Sequence, residues 1–99
     1  AFVTYSDGRM KKNIKQLDTA LDTVQKLRGV SYDWKSDGSS DIGFIAQEVA
    51  EVVPSLCHGS EEGGYALDYP SMNALLVEAV KQQQQQIKAL SVKVEKLSK

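Results

Sequence analysis

The segment Ser6-Asp7-Gly8-Arg9-Met10-Lys11 holds a serine and a lysine five residues apart. A serine hydroxyl is a weak nucleophile unless a base accepts its proton, and a neutral lysine amine can be that base. A free lysine has a pKa near 10.4, so about one lysine in a thousand is neutral near pH 7.4. Burial, or a neighbouring cation such as Arg9 or Lys12, raises that fraction. The spacing alone is common in proteins and indicates a catalytic pair only weakly.

Other catalytic or metal-binding arrangements have few residues available. His58 is the only histidine and lies in a glycine-flanked segment, so a Ser-His-Asp triad would depend on it alone. It follows the only cysteine, Cys57, but adjacent residues on a strand point to opposite faces, which disfavours a Cys–His dyad. One cysteine excludes an internal disulfide, and one cysteine with one histidine is too few ligands for structural zinc. We expect no metal and no cofactor.

The composition is that of a small, nearly neutral chain. It has 99 residues and a net charge of −1, with both signs interspersed. A nucleic acid or an anionic membrane would require a basic face, so neither is an expected partner. No apolar run is long enough for a transmembrane helix or a signal-peptide core. A globular part of about 70 residues builds only a modest core, so oligomerisation is an expected source of stability.

Apolar residues at spacings of three and four predict a first helix. They are Ile14, Leu17, Leu21, Val24 and Leu27. The helix would begin at Ile14 or only near Asp18, whose carboxylate could cap it, and would end at Gly29. A shorter helix is expected at 46–53, closed by Pro54.

Strands are predicted where apolar and polar residues alternate, at 30–34 and 65–69. A weaker strand signal lies at 2–5. The polar, glycine-containing segments 36–41 and 59–64 are expected as loops. We therefore expect an α+β fold, with a small head of short helices and strands before a long C-terminal helix.

The C-terminal helix is expected to start with Ser71 as its N-cap and to form a coiled coil. Heptad positions a hold Asn73, Val80, Ile87 and Val94, and positions d hold Leu76, Gln83, Leu90 and Leu97. A wider face with Met72, Leu75 and Ala79 is expected to pack on the head. Gln83 lies in a run of five glutamines, which suits a core layer or a solvated face. Taken alone, β-branched a and leucine d positions slightly favour a parallel dimer.

Three blocks of sequence carry a family resemblance. The first, Ser-Asp-x-Arg-x-Lys-x-Asn-Ile, is matched by Ser6, Asp7, Arg9, Lys11, Asn13 and Ile14. The second, Leu-x-Gly-Val-x-Tyr-x-Trp, is matched by Leu27, Gly29, Val30, Tyr32 and Trp34. The third is the segment 43–49 with Pro54, and Tyr69 and 75–81 complete the pattern. Over residues 6–97 the chain resembles the intramolecular chaperone domain of phage tail spikes and tail fibres, the peptidase S74 or endosialidase-type chaperone family.

The resemblance implies roles for the residues of the first block. Ser6 would be the nucleophile and Lys11 the general base of a self-cleaving serine peptidase. The scissile bond would be Tyr5–Ser6, although a cut just after Ser6 stays open. Asp7, Arg9 and Asn13 would support the pair.

The resemblance also implies a homotrimer rather than a dimer, assembled through Leu76, Val80, Gln83, Ile87, Leu90, Val94 and Leu97. Residues 1–5 would end an upstream fibre segment, 6–70 would form the head, and 71–99 the trimerising helix. The domain would fold its upstream tail fibre or spike in the host cytoplasm during virion assembly, then be released from the mature fibre. The alternatives are a non-cleaving trimeric coiled-coil adaptor and an animal transcription-factor precursor that uses the same domain.

Overall fold

Short hairpins and short helices precede one long helix in the computed structural model, which describes residues 3–99. The helices are α1 (Ala20–Val24), α2 (Ala46–Val52) and α3 (Tyr69–Leu97), with 3₁₀ turns at Gly8–Met10 and Pro54–Leu56. The strands are β1 (Val30–Asp33), β2 (Ser40–Gly43), β3 (Cys57–Ser60) and β4 (Gly64–Leu67). This order confirms the predicted α+β fold with a long C-terminal helix. The association of α3 with other copies, and the division at residues 5 and 70, stay predictions.

The strands form two separate antiparallel hairpins. Val30 lies opposite Gly43 in the first, and Cys57 lies opposite Leu67 in the second. The strand predicted at 30–34 is confirmed as β1. The loop predicted at 59–64 is wrong at both ends, because Gly59 and Ser60 lie in β3 and Gly64 in β4. Glycine-rich strands lack the apolar alternation that identifies a strand in the sequence.

The first helix is much shorter than its apolar spacing predicts. Ile14 and Leu17 precede α1 and are exposed, with 76% and 42% of their surface accessible. Asn13 adopts a left-handed backbone with φ of 56°, which interrupts any helix there. The N-cap residue is Thr19 rather than Asp18, and the helix ends at Val24, well before Gly29.

The weak strand predicted at 2–5 is not formed in its described residues. Val3 to Tyr5 form no strand, and the remaining residue of that signal, Phe2, lies outside the described residues. The helix predicted at 46–53 is confirmed as α2, which ends at Val52 just before the 3₁₀ turn that starts at Pro54.

Two small apolar clusters attach the head to α3. One consists of Ala20, Leu21 and Ala79, and the other of Val49, Leu56 and Met72. Leu75 packs against both clusters. The predicted head-facing residues Met72, Leu75 and Ala79 are therefore confirmed as that face of the helix.

The start of α3 is capped by Asp68 and not by Ser71. Asp68 Oδ1 accepts a hydrogen bond from the backbone N–H of Ser71 at 3.0 Å, and Asp68 Oδ2 accepts one from Ser71 Oγ at 2.7 Å. These bonds hold the pKa of the Asp68 carboxyl below its ordinary value. Ser71 is thus the donor of the cap, two residues inside the helix.

Candidate active site

The side chains of Ser6 and Lys11 meet on the surface of the N-terminal segment. Lys11 Nζ donates a hydrogen bond to Ser6 Oγ at 2.7 Å. Both residues are exposed, as is every described residue before Ala20. The two groups are therefore in proton-transfer range but lie in contact with solvent.

A 3₁₀ turn at Gly8–Met10 produces this contact. The Asp7 carboxylate caps the turn by accepting a bond from the backbone N–H of Arg9 at 2.9 Å. The backbone N–H of Met10 donates to the carbonyl of Asp7 at 3.0 Å, and that of Lys11 to the carbonyl of Gly8 at 3.2 Å. The chain reverses direction over Gly8–Met10, and this reversal brings the side chain of Lys11 next to Ser6.

Arg9 and Asp7 form a two-pronged ion pair. Arg9 Nη2 donates to Asp7 Oδ2 at 2.7 Å, and Arg9 Nε donates to the same oxygen at 3.1 Å. The pair lowers the pKa of the Asp7 carboxyl and raises the pKa of the Arg9 guanidinium, the hydrogen bond being the main cause for both. The guanidinium is thus directed at the turn cap, where it stabilises the backbone that presents Ser6.

The other residues assigned to this site by resemblance lie nearby along the chain without joining the pair. Tyr5, on the expected scissile bond, has a fully exposed side chain. Asn13 shapes the backbone through its left-handed conformation, and within residues 3–99 no hydrogen bond connects its side chain to Ser6. His58, the alternative base, lies in β3 and acts electrostatically on Asp68.

The residues assigned to oligomerisation lie along the exposed side of α3. Their apolar side chains keep between 45% and 86% of their surface accessible, a range set by Leu76 and Leu97. Ile87, Leu90 and Val94 line a shallow groove on the part of α3 that projects beyond the head. Gln83, which lies between Val80 and Ile87 in this row, is exposed. The neighbouring Gln82 is half-buried against α1. One copy of the chain therefore leaves an apolar stripe uncovered.

A second surface feature escaped prediction. A cleft of about 910 Å³ lies between the two hairpins and the start of α3. Tyr32, Trp34, Phe44, Tyr65 and Tyr69 contribute its aromatic wall. Trp34 is 50% exposed and Tyr69 46% exposed. We call this surface the aromatic cleft.

Neither a metal site nor a membrane span occurs in the described part of the chain. Among residues 3–99, no three His, Cys, Asp or Glu side chains cluster closely enough to hold a metal ion. None of the helices in that range combines the length and the hydropathy needed to cross a bilayer.

The segment that contains the Ser6–Lys11 turn matches a known protein family. A profile of the peptidase S74 family, described as a chaperone of endosialidase, matches residues 6–58, which is more than half of the chain. The chain belongs to the chaperone-of-endosialidase family. The match begins at Ser6 and ends within β3, so it includes the turn, the first hairpin and α2.

Individual relatives extend this similarity over α3. The chain is 37% identical over 99 residues to the long tail fiber protein Gp37 of Enterobacteria phage K3, an alignment with 90% of this chain and 8% of the relative. The corresponding protein of Enterobacteria phage T2 is also 37% identical, with 7% of its length aligned. Gp37 of Salmonella phage S16 is 31% identical over 103 residues, with 14% of its length aligned. The chain thus spans only a small fraction of these relatives.

Proposed function

We propose that this chain is the C-terminal chaperone domain of a phage tail fibre, which trimerises through α3 and then releases itself by cleavage next to Ser6. Membership of the chaperone-of-endosialidase family and the similarity to Gp37 proteins support the chaperone role. The proposal of self-cleavage is supported by the 2.7 Å hydrogen bond from Lys11 Nζ to Ser6 Oγ. Its client would be the upstream fibre chain, folded in the host cytoplasm during virion assembly.

The reaction is an N-to-O acyl shift followed by hydrolysis. Ser6 Oγ attacks the carbonyl carbon of Tyr5 while neutral Lys11 accepts the hydroxyl proton. The C–N bond of the peptide breaks, the Ser6 nitrogen takes a proton, and an ester joins Tyr5 to Ser6 Oγ. Water then hydrolyses the ester, leaving a carboxylate on Tyr5 and a free amino group on Ser6. The nucleophile is tethered beside its target, so no binding step is required.

The uncovered stripe on α3 supports the proposed trimerisation. Ile87, Leu90 and Val94 are each at least half exposed in one copy, and parallel association would bury them. Interlocked β-fibres nucleate slowly because long chain segments must close in register, and three clamped chain ends supply that register. Removal of the clamp after folding would leave the fibre kinetically stable.

The second candidate is a trimeric adaptor that does not cut itself. It is favoured by the exposure of both Ser6 and Lys11, because an exposed amine is surrounded by water that stabilises its charge. The two functions share the family, the fold and the coiled coil. They differ in whether the bond next to Ser6 breaks.

Electrophoresis of a precursor tests this difference directly. A chain in which a fibre segment precedes Ala1 should yield two fragments, the smaller starting at Ser6. Ser6→Ala should leave one full-length band while the protein still assembles. Ser55→Ala, which removes an exposed hydroxyl from the 3₁₀ turn at Pro54–Leu56, is the matched control and should cut normally. A wild-type precursor that trimerises yet stays intact would favour the adaptor.

A further inference from the structure

The aromatic cleft is an uncovered apolar surface close to the start of α3. Trp34, Tyr65 and Tyr69 keep 50%, 40% and 46% of their surface accessible. Tyr32 packs edge-on to Trp34 at 5.1 Å, and Phe44 lies 6.2 Å from Tyr69, so the wall is preassembled. Exposed, rigid aromatic clusters of this kind mark interaction sites, because they bury large areas with little loss of side-chain freedom.

The N-terminal segment 3–17, here called the arm, presents apolar side chains to solvent. Tyr5, Met10 and Ile14 are 105%, 85% and 76% exposed. A hydrogen bond from Gln16 Nε2 to Glu78 Oε1 ties the base of the arm to α3. The residues before Gln16, including Ser6 and Lys11, extend from this anchor into solvent.

Charge is divided between the arm and the two hairpins. The arm carries four cations, Arg9, Lys11, Lys12 and Lys15, and the single carboxylate Asp7. The hairpins carry five carboxylates, Asp33, Asp37, Asp41, Glu61 and Glu62, and the single cation Lys35. Of these charged residues, Asp33, Asp41 and Lys35 line the cleft itself. The net charge of the whole chain is only −1, so the cations and carboxylates nearly balance overall but are concentrated in different segments. Surfaces of opposite charge attract and orient each other before they come into contact.

Tyr69 connects the cleft with the side of α3 on which a neighbouring copy would pack. Tyr69 precedes Leu76 by seven residues, so it lies at the start of the same d row, and it also lines the cleft. A neighbouring α3 packed on that row would lie beside the cleft. If the two helices are parallel and in register, the neighbour's Gln16, bonded to Glu78 nine residues beyond Tyr69, lies about 14 Å along the helix axis from the level of the cleft. The six residues from Gln16 back to Met10 span about 20 Å when extended, which is sufficient.

We propose that the arm of one copy docks in the aromatic cleft of a neighbouring copy, with Met10 and Ile14 on the aromatic wall and Lys12 and Lys15 toward the acidic hairpins. This inference rests on the proposed trimer and adds an exchange of arms to it. The docked arm would fix the Tyr5–Ser6 bond, which its own head does not support. The fibre end of each chain would thereby be held by two copies.

Fluorescence of Trp34, the only tryptophan of the chain, reports occupation of the cleft. Emission should shift to shorter wavelength when the full chain assembles, with sedimentation measuring assembly separately. The double variant Met10→Ser, Ile14→Ser should still sediment as a trimer but lose the shift. Val92→Ser, which removes a half-exposed apolar side chain from α3, should keep both. An unchanged shift in the double variant would overturn the docking. Absence of any trimer would instead overturn the proposed function.

Cross-linking identifies the copy that supplies the arm. A photoreactive amino acid replaces Met10 in one set of chains, which is refolded together with nitrogen-15-labelled chains that lack it. Cross-links should join the arm to peptides containing residues 32–47 of labelled chains. Their yield should fall for Lys12→Glu, Lys15→Glu and hold for Lys88→Glu, Lys96→Glu, which makes the same charge change on α3. Cross-links confined to the same chain, directed to α3, or absent would each reject the exchange.

Discussion

Gln82 Oε1 accepts a hydrogen bond from the backbone N–H of Leu21 at 2.8 Å. The helix that begins at Ala20 is only five residues long, and its N-cap residue Thr19 provides no side-chain hydrogen bond. The first N–H groups of a helix need partners from outside the helix. Gln82 of α3 therefore caps the start of α1, although it lies sixty-one residues beyond Leu21 in the chain. The same hydrogen bond connects α1 to α3.

Removal of this amide should destabilise the head. Gln82→Ala is expected to lower the free energy of unfolding by about 1 kcal/mol, the usual cost of losing a helix cap. Gln84→Ala removes a similar side chain from an exposed position of the same glutamine run. Urea denaturation followed by circular dichroism compares the two variants. Equal losses would mean that the glutamines act only through helix propensity.

Lys11→Arg should stop self-cleavage without unfolding the domain. Arginine keeps the positive charge but does not lose its proton in practice, so it cannot accept the proton of Ser6. Lys12→Arg is the matched control, because it makes the same change one residue away from the 2.7 Å contact. The fraction of precursor cut after purification is the measurement. Normal processing of Lys11→Arg would transfer the role of base to His58 or water.

Charges on the exposed stripe of α3 should prevent assembly. Replacing Ile87 and Leu90 by Asp buries two unpaired carboxylates per helix in any coiled coil, at a cost of several kcal/mol per helix. Val92→Asp places a carboxylate on the outward side of the same helix, where the side chain is 51% exposed. Sedimentation should find the double variant monomeric or unfolded and the control assembled. A wild-type monomer at micromolar concentration would contradict the chaperone role.

The cap of α3 should weaken in acid. Hydrogen bonds from Ser71 lower the pKa of the Asp68 carboxyl below 3.8, so the cap is fully present above that pH and is lost as pH falls through the lowered pKa. Wild-type helicity should therefore decline below 3.8 more than that of Asp68→Asn, whose amide oxygen accepts the bond from the Ser71 backbone N–H without titrating, although its amide nitrogen cannot accept the bond from Ser71 Oγ. Circular dichroism across the acid range measures the difference. Parallel curves would show that other carboxylates dominate the acid response.

Alanine should be tolerated at one glycine of the second hairpin and not at another. Gly59 has φ of 110°, and a Cβ there would collide with the carbonyl oxygen of Gly64. Gly63→Ala meets only ordinary contact with Ser60 Oγ at 3.5 Å. Gly59→Ala should thus lower the melting temperature clearly, and Gly63→Ala only slightly, in thermal denaturation. Similar melting temperatures would imply that the hairpin can open without loss to the head.

Local sequence was sufficient for the elements that depend on nearby residues. Val30–Asp33, α2 and the long α3 follow from alternation, helical spacing and Pro54, all of which act over a few residues. The proximity of Ser6 and Lys11 is of the same kind, since one 3₁₀ turn brings them together. The motif and its family resemblance could therefore be identified from the sequence.

Tertiary structure decided the features that depend on distant residues. The apolar spacing from Ile14 to Leu27 predicts a long helix, yet the helix is confined to Ala20–Val24, where Ala20, Leu21 and Val24 pack in one cluster with Ala79 of α3. The aromatic cleft exists because two hairpins that share no strand pairing pack beside Tyr69. Helix spacing and strand alternation report which side of an element is apolar. They do not report which other element covers it, because packing partners are fixed by the fold of the whole chain.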